Sequence, residues 1–230
     1  MSYEYIKNNL ESLFCDIERC ADRAGTKAPK LVCVTKSGSD EELIALARAG
    51  ARAIGENRPG ELKRRGDLLK EIGILPELHQ IGTLQSNKAK LVSEGASLIH
   101  SLESLSLAKE LNKQGLNLNK RIPALIEINS AEEPQKMGVL PCDAERFLEQ
   151  VLEFPGISVV GLMTMGPAGA EGEEIRRYFR LTKKLFDKLD AEYGFGDSAT
   201  LSMGMSDSYQ IAIEEGSTLV RVGRRLFIKN

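Results

Sequence analysis

The chain has 230 residues, 42% of them hydrophobic and 28% charged, with a formal net charge of −2. That is the composition of an ordinary globular protein, and it gives no reason to expect nucleic acid or an anionic membrane as a partner. No apolar run approaches the ~20 residues that span a bilayer, and Met1-Ser2-Tyr3-Glu4-Tyr5 lacks the basic and apolar regions of a signal peptide.

Four cysteines (Cys15, Cys20, Cys33, Cys142) show no CxxC spacing, so reduced thiols in a cytoplasm are expected. Two histidines without an HxH or HExxH pattern argue against a histidine-rich metal site.

In chain order, Ile6, Leu10, Leu13, Phe14, Ile17, Ala21 and Ala24 recur at spacings of three and four. They predict an amphipathic helix over 3–24, stopped by Gly25. The β-branched run Leu31-Val32-Cys33-Val34-Thr35 then ends on Lys36, and Asp40 is the expected N-cap of the next helix. Ala51–Ile54 reads as a strand, and 58–72 as a helix whose Lys63-Arg64-Arg65 run is a solvated face. The alternation continues with strands at Glu77–Gly82, Ser97–His100, Ile122–Asn129, Ile157–Met163, Ala199–Ser202 and Thr218–Val222. The helices between them are predicted at Gln85–Val92, Ser104–Gln114, Ala144–Leu152, 171–193 and Asp207–Glu215.

Eight apolar strands alternating with helices predict a parallel sheet buried on both faces. In this length they fit an α/β fold, a single (β/α)8 TIM-type barrel with an extra N-terminal helix. An open doubly wound sheet is the alternative, weakened by the absence of GxGxxG after the first strand. No linker or repeat divides the chain, so it reads as one domain over 1–230, with 1–29 the N-terminal helix and 30–230 the barrel.

Barrels of this kind place their sites at the C-terminal strand ends. Those ends carry Lys36, Glu56-Asn57, Lys88, Lys136, Met163-Thr164-Met165, the run Ser202–Asp207, and Arg221-Val222-Gly223-Arg224. Ser206 falls where the next helix is expected to begin, and Gly223 permits close backbone approach, an arrangement suited to phosphate on the loops after strands 7 and 8. Arg221 alternates with Val220 and Val222: if those valines face the helix layer it faces the barrel interior and needs a carboxylate or a polar ligand atom there, and otherwise it reaches out of the barrel mouth into water. A lysine, a phosphate site and an interior arginine suit a Schiff base to a phosphorylated sugar, as in a lysine-dependent aldolase, or to pyridoxal phosphate.

Five segments carry a more specific signal: Val34-Thr35-Lys36, Gly55-Glu56-Asn57, His79–Lys88 (HQIGTLQSNK), Leu201–Asp207 (LSMGMSD) and Gly216–Gly223 (GSTLVRVG). Together, from about residue 30 to 227, they closely resemble the pyridoxal phosphate homeostasis proteins, the YggS/PROSC family. The resemblance implies a barrel like the N-terminal domain of alanine racemase, holding pyridoxal 5'-phosphate as an aldimine on Lys36. It implies that Ser206, Gly223 and the amide of Arg224 hold the phosphate, that Arg221 faces the pyridine nitrogen, and that Asn57 lies beside the cofactor. The implied role is intracellular vitamin B6 homeostasis, buffering and delivery to pyridoxal phosphate-dependent apoenzymes, with no committed reaction. The alternative is a weak amino-acid racemase of alanine-racemase type. That reaction needs proton donors on both faces of the substrate carbon, one of them a tyrosine from a second domain in alanine racemase. The chain is expected to lack such a domain and to act as a cytoplasmic monomer. It departs from the family pattern at Ser37-Gly38-Ser39-Asp40, at Arg58-Pro59 and at Arg224-Arg225, where a threonine usually stands after the final glycine.

Overall fold

Short β-branched segments that are apolar on both faces have to be covered on both faces, and here they are. A computed structural model describes residues 3–229 of the chain. Eight parallel strands close on one another in chain order: β1 (Lys30–Val34), β2 (Ala53–Glu56), β3 (Glu77–Gln80), β4 (Leu98–Leu102), β5 (Ile122–Glu127), β6 (Ile157–Met163), β7 (Thr200–Ser202) and β8 (Leu219–Val222). The barrel closes where β8 returns to β1, with Val32 opposite Arg221 and Cys33 opposite Val222. The closed barrel excludes the open-sheet alternative.

The helices are α1 (Glu4–Ala24), α2 (Asp40–Arg48), α3 (Pro59–Glu71), α4 (Ala89–Ser93), α5 (Leu105–Asn117), α6 (Ala144–Leu152), α7 (Gly172–Tyr193) and α8 (Tyr209–Glu214). Several boundaries shift by a few residues, β2 and α4 among them, and two of the shifts have a clear local reason. Ser39, not Asp40, caps α2: its Oγ accepts from the Glu42 amide while the Glu42 carboxylate accepts from the Ser39 amide, a reciprocal pair that fixes the helix start. Helix α8 starts at Tyr209, because residues 206–208 are used in a turn.

Strand alternation sorts the core into two layers. Leu31, Cys33, Ile54, Val220 and Val222 pack outward with Ile6, Leu10, Leu13 and Ile17 of α1, with Leu43 and Leu46 of α2 and with Ile213 of α8. Val32, Ala53, Leu98, Leu125, Met163 and Leu219 fill the interior. Helix α1 lies against α2 and α8 and covers the seam between β8 and β1. It therefore occupies the place in the ring that a helix after β8 would take. Asn9 Nδ2 donates to the Leu226 and Ile228 carbonyls, at 3.2 and 2.9 Å, and Arg225 reaches Asp16 at 2.7 Å, tying the last residues to that helix. Gly25, at φ 65°, ends α1 in the left-handed conformation expected of it. Among the described residues no helix is long and apolar enough to cross a membrane.

If α1 belongs to the ring, truncating its fully buried Leu13 should cost as much as any core leucine. Leu13→Ala is expected to lower the unfolding free energy by about 2–5 kcal/mol in an equilibrium urea titration. A loss near zero would mean that α1 is an appendage.

Candidate functional site

The loop that carries Lys36 is held from behind. Thr35 is fully buried, and its amide continues the sheet by donating to the Gly55 carbonyl at 3.1 Å. Lys36 follows, exposed, and its amine makes no hydrogen bond or ion pair among the described residues. Its neighbours are clamped by Arg65 of α3, whose NH1 donates to the Thr35 carbonyl at 2.6 Å and whose NH2 donates to the Gly38 carbonyl at 2.7 Å. The same guanidinium pairs with the Glu56 carboxylate at 2.5 Å, and that carboxylate also accepts from the Thr35 hydroxyl.

Arg65 and Glu56 are 7% and 2% exposed, so the reading of residues 63–65 as a solvated face is corrected at Arg65. Leu62, Arg65 and Leu69 share the buried stripe of α3, a spacing of three and four that was visible in the sequence. Lys36, Ser37, Glu56, Asn57, Arg58, Glu61 and Arg65 line the cleft in front of this clamp. Asn57 is half-exposed at the end of β2, and its carbonyl accepts from Gln80 Nε2 at 3.0 Å.

The loops after β7 and β8 meet at Ser206. The serine is not at the start of α8 as expected but three residues before it, and its hydroxyl accepts from the Gly223 amide at 3.3 Å. A Cβ on Gly223 would stand 2.9 Å from the Val34 carbonyl oxygen, so only glycine lets this backbone close onto β1. Gly204 turns the β7 loop at φ 91°, where a Cβ would strike Ala212 and Tyr209. The Arg224 side chain points outward and pairs with Asp207, so the guanidinium that replaces the usual threonine bridges the two loops from outside. Ser206, Gly223, Arg224, Arg221, Lys36 and Asn57 thus lie on one arc of neighbouring strands, β7-β8-β1-β2. The other two strand-end lysines lie elsewhere: Lys88 is exposed, and Lys136 is bound to Glu133 at 3.1 Å and to the Gly166 carbonyl at 3.3 Å.

Arg221 faces the interior, the first of the two orientations its alternation allows, and is 4% exposed. Of the partners expected for it, a carboxylate or a polar ligand atom, no carboxylate is in contact. NH1 donates to the Ser202 hydroxyl, and NH2 donates to the Thr164 carbonyl at 3.0 Å. Burial lowers its pKa to about 10, opposed by the charge of Glu127, so it remains a cation at neutral pH. Glu127, interior at the end of β5, is pushed up to about 7 by burial and by the neighbouring Glu103, against the pull of Arg221. Burial also raises Glu103, although the Gly138 amide opposes the shift. The sequence reading passed over both carboxylates. The signal for Glu127 was an acid sharing the inward parity of Leu125. Among the described residues no group of three His, Cys, Asp or Glu side chains could hold a metal ion.

Two outcomes test this geometry. Arg65→Met leaves Glu56 buried and unpaired, and is expected to cost about 3–5 kcal/mol in urea titration, against about 0–1 kcal/mol for Arg64→Met in its exposed pair with Asp40 and Glu61. Equal effects would mean that the clamp carries no weight. Glu127 favours its protonated form in the fold, so its stabilising contribution is complete below pH 4.5 and is lost as pH rises through about 7. Glu127→Gln should therefore stabilise the protein at pH 8 by up to about 3 kcal/mol relative to its effect at pH 4. A pH-independent difference between the two proteins would sink that assignment.

Residues 9–230 match the family model for the alanine racemase N-terminal domain. A pyridoxal phosphate homeostasis protein from Aquifex aeolicus is 38% identical over 92% of this chain and 92% of its own. The solved structure of PipY from Synechococcus elongatus with pyridoxal phosphate bound superposes at a TM-score of 0.82, is 28% identical, and covers 97% of this chain and 100% of its own. An alanine racemase from Corynebacterium glutamicum shares the fold at a TM-score of 0.73, with 19% identity, 97% of this chain and 60% of its own covered. Family model, relatives and barrel agree: the chain belongs to the pyridoxal phosphate homeostasis proteins, within the alanine racemase N-terminal domain family.

Proposed function

We propose that this chain binds pyridoxal 5'-phosphate through Lys36 and serves vitamin B6 homeostasis by holding the cofactor and passing it on. The observation that carries the reading is the arc β7-β8-β1-β2, which sets a free amine, a glycine-dependent cradle and a buried guanidinium side by side. The donor set fits the cofactor part by part. Ser206 and the amides of Gly223 and Arg224 suit a phosphate, and the approach of Gly223 to Val34 leaves no room for a Cβ. The unpaired Lys36 amine suits the aldehyde, Arg221 suits the ring nitrogen, and Asn57 borders the same cleft. When bound, pyridoxal phosphate supplies an aldehyde that condenses with amines and a ring that accepts electrons.

What these residues do points to holding. A guanidinium cannot accept a proton from the ring nitrogen and, being charged, disfavours a proton there, so the ring is a weaker electron sink. The clamp of Arg65 on Thr35 and Gly38 fixes the loop while leaving the amine free. The five tyrosines lie on helices or at the start of one: Tyr3 and Tyr5 at α1, Tyr178 and Tyr193 on α7, and Tyr209 on α8. None of them is placed on a loop at the mouth as a proton donor. On this reading the chain is one domain, 1–29 its N-terminal helix and 30–230 its barrel. It acts as a cytoplasmic monomer whose recipients are apoenzymes.

One observation favours a second reading, weak racemase activity: Glu127 holds a carboxyl near pKa 7 inside the barrel, a group able to exchange a proton at neutral pH.

The purified protein incubated with pyridoxal phosphate is expected to be yellow. Borohydride should fix the cofactor on Lys36, located by peptide mass spectrometry, and Lys36→Ala should lose the visible band. Failure of the wild type to retain any cofactor would defeat the proposal, and saturable conversion of L-alanine to D-alanine would favour the racemase.

A further inference from the structure

The barrel interior holds a column of polar side chains that the cofactor site does not explain. His79 and His100 are 1% and 0% exposed, and Ser202 is fully buried with them. Along the column Ser202 Oγ lies 3.1 Å from His100 Nδ1, and His100 Nε2 lies 2.9 Å from His79 Nδ1. His79 Nε2 lies 3.2 Å from the Glu77 carboxylate, which Lys30 Nζ meets at 2.8 Å on the opposite side of the barrel from the mouth. At the other end Arg221 touches Ser202.

The two ends orient the column once both rings are neutral. The Glu77 carboxylate can only accept, so His79 donates to it from Nε2 and accepts at Nδ1. His100 then donates from Nε2 and accepts at Nδ1, and the Ser202 hydroxyl is the donor to His100. A guanidinium has donors and no acceptor, so at the other end Arg221 donates to Ser202. An imidazolium at either position would set two N–H groups against each other, or leave the Ser202 proton without an acceptor. Burial pushes both histidines down, in agreement with neutral rings. The charged groups facing the column are Glu77 and Lys30 at its base and Arg221 with Glu127 at the mouth.

We infer that Ser202, His100 and His79 form a one-way hydrogen-bond chain that anchors Arg221 to Glu77 through the barrel, and that they are positioning residues for the cofactor ring. The second half of this inference rests on the reading of the site given above. Each neutral ring has one donor and one acceptor, so the chain has a single arrangement and holds the guanidinium in a single orientation. Without the Ser202 hydroxyl, Arg221 keeps its bond to the Thr164 carbonyl and is free to swing about it.

With two histidines in the sequence, the cofactor-free wild type gives a simple test. A long-range proton–nitrogen correlation spectrum at pH 7 should show two neutral imidazoles, both protonated at Nε2. A ring protonated at Nδ1, or an imidazolium, would overturn the chain, and this readout needs no cofactor. For the link to the site, Ser202→Ala should release pyridoxal phosphate about tenfold faster and shift the visible band, while Ser202→Thr, which keeps the hydroxyl, should restore both. His79→Leu, which removes both the acceptor that faces His100 Nε2 and the link to Glu77, should resemble Ser202→Ala. Wild-type release rates and spectra in Ser202→Ala would reduce the column to core packing and sink the positioning role. A wild type that binds no cofactor would instead defeat the cofactor reading and leave the spectrum to decide the chain.

Discussion

A charge buried inside a closed barrel constrains everything near it. Arg221 cannot shed its proton at neutral pH and is almost fully buried, so protein dipoles must take over much of its solvation. The barrel meets that demand with a hydroxyl and a carbonyl while a carboxylate stands further off. This choice has a chemical consequence. A direct ion pair would neutralise the guanidinium and fill its donors. Bonds to Ser202 and Thr164 orient it while leaving its positive field intact at the mouth, where the arc of predicted ligands converges. The raised carboxyls of Glu127 and Glu103 belong to the same balance: ionising either in this interior costs more than the distant arginine returns.

The second constraint lies outside the barrel wall. The Glu56–Arg65 pair costs desolvation, and pairs of this kind are often no more stable than an apolar substitute. Here its geometry ties down three things at once: the Thr35 hydroxyl, the Thr35 carbonyl and the Gly38 carbonyl. Lys36 sits between the two carbonyls. The pair thus converts a flexible strand-to-helix connection into a fixed platform, and the capping box at Ser39 and Glu42 continues that platform into α2.

Much of this was legible in the sequence because the physics is local. Alternation offered an inward Arg221 beside one reaching into solvent, and the positions of Lys36, Ser206 and Gly223 beyond their strands placed them at the mouth. What escaped notice depends on closure. His100 and Ser202 are 102 positions apart and meet only because β4 and β7 face each other across the interior. Read singly, each is an unremarkable strand residue. Arg221 likewise could not announce a hydroxyl in place of a carboxylate, since its partners come from β7 and from the loop after β6. Arg65 and the start of α8 are misreadings of another kind. The stripe Leu62-Arg65-Leu69 was there to see, but a run of three basic residues suggested solvent. The turn at 206–208 spent residues that a helix cap would otherwise have used.

A reversible tether asks for an unusual division of rigidity. The amine has to reach an aldehyde and let go of it, so it must stay unpaired and exposed, as Lys36 is. Affinity must then come from parts that lose no further entropy on binding, which means a backbone cradle and a charge already locked in place. The glycine that closes on Val34, the clamp behind Thr35 and the column beneath Arg221 each remove freedom before any ligand arrives. A catalyst would also need acids and bases poised over the mouth, on both faces of a substrate carbon. In this fold the clamp of Arg65 lies behind the Lys36 loop and the Ser202–His100–His79 column lies beneath Arg221.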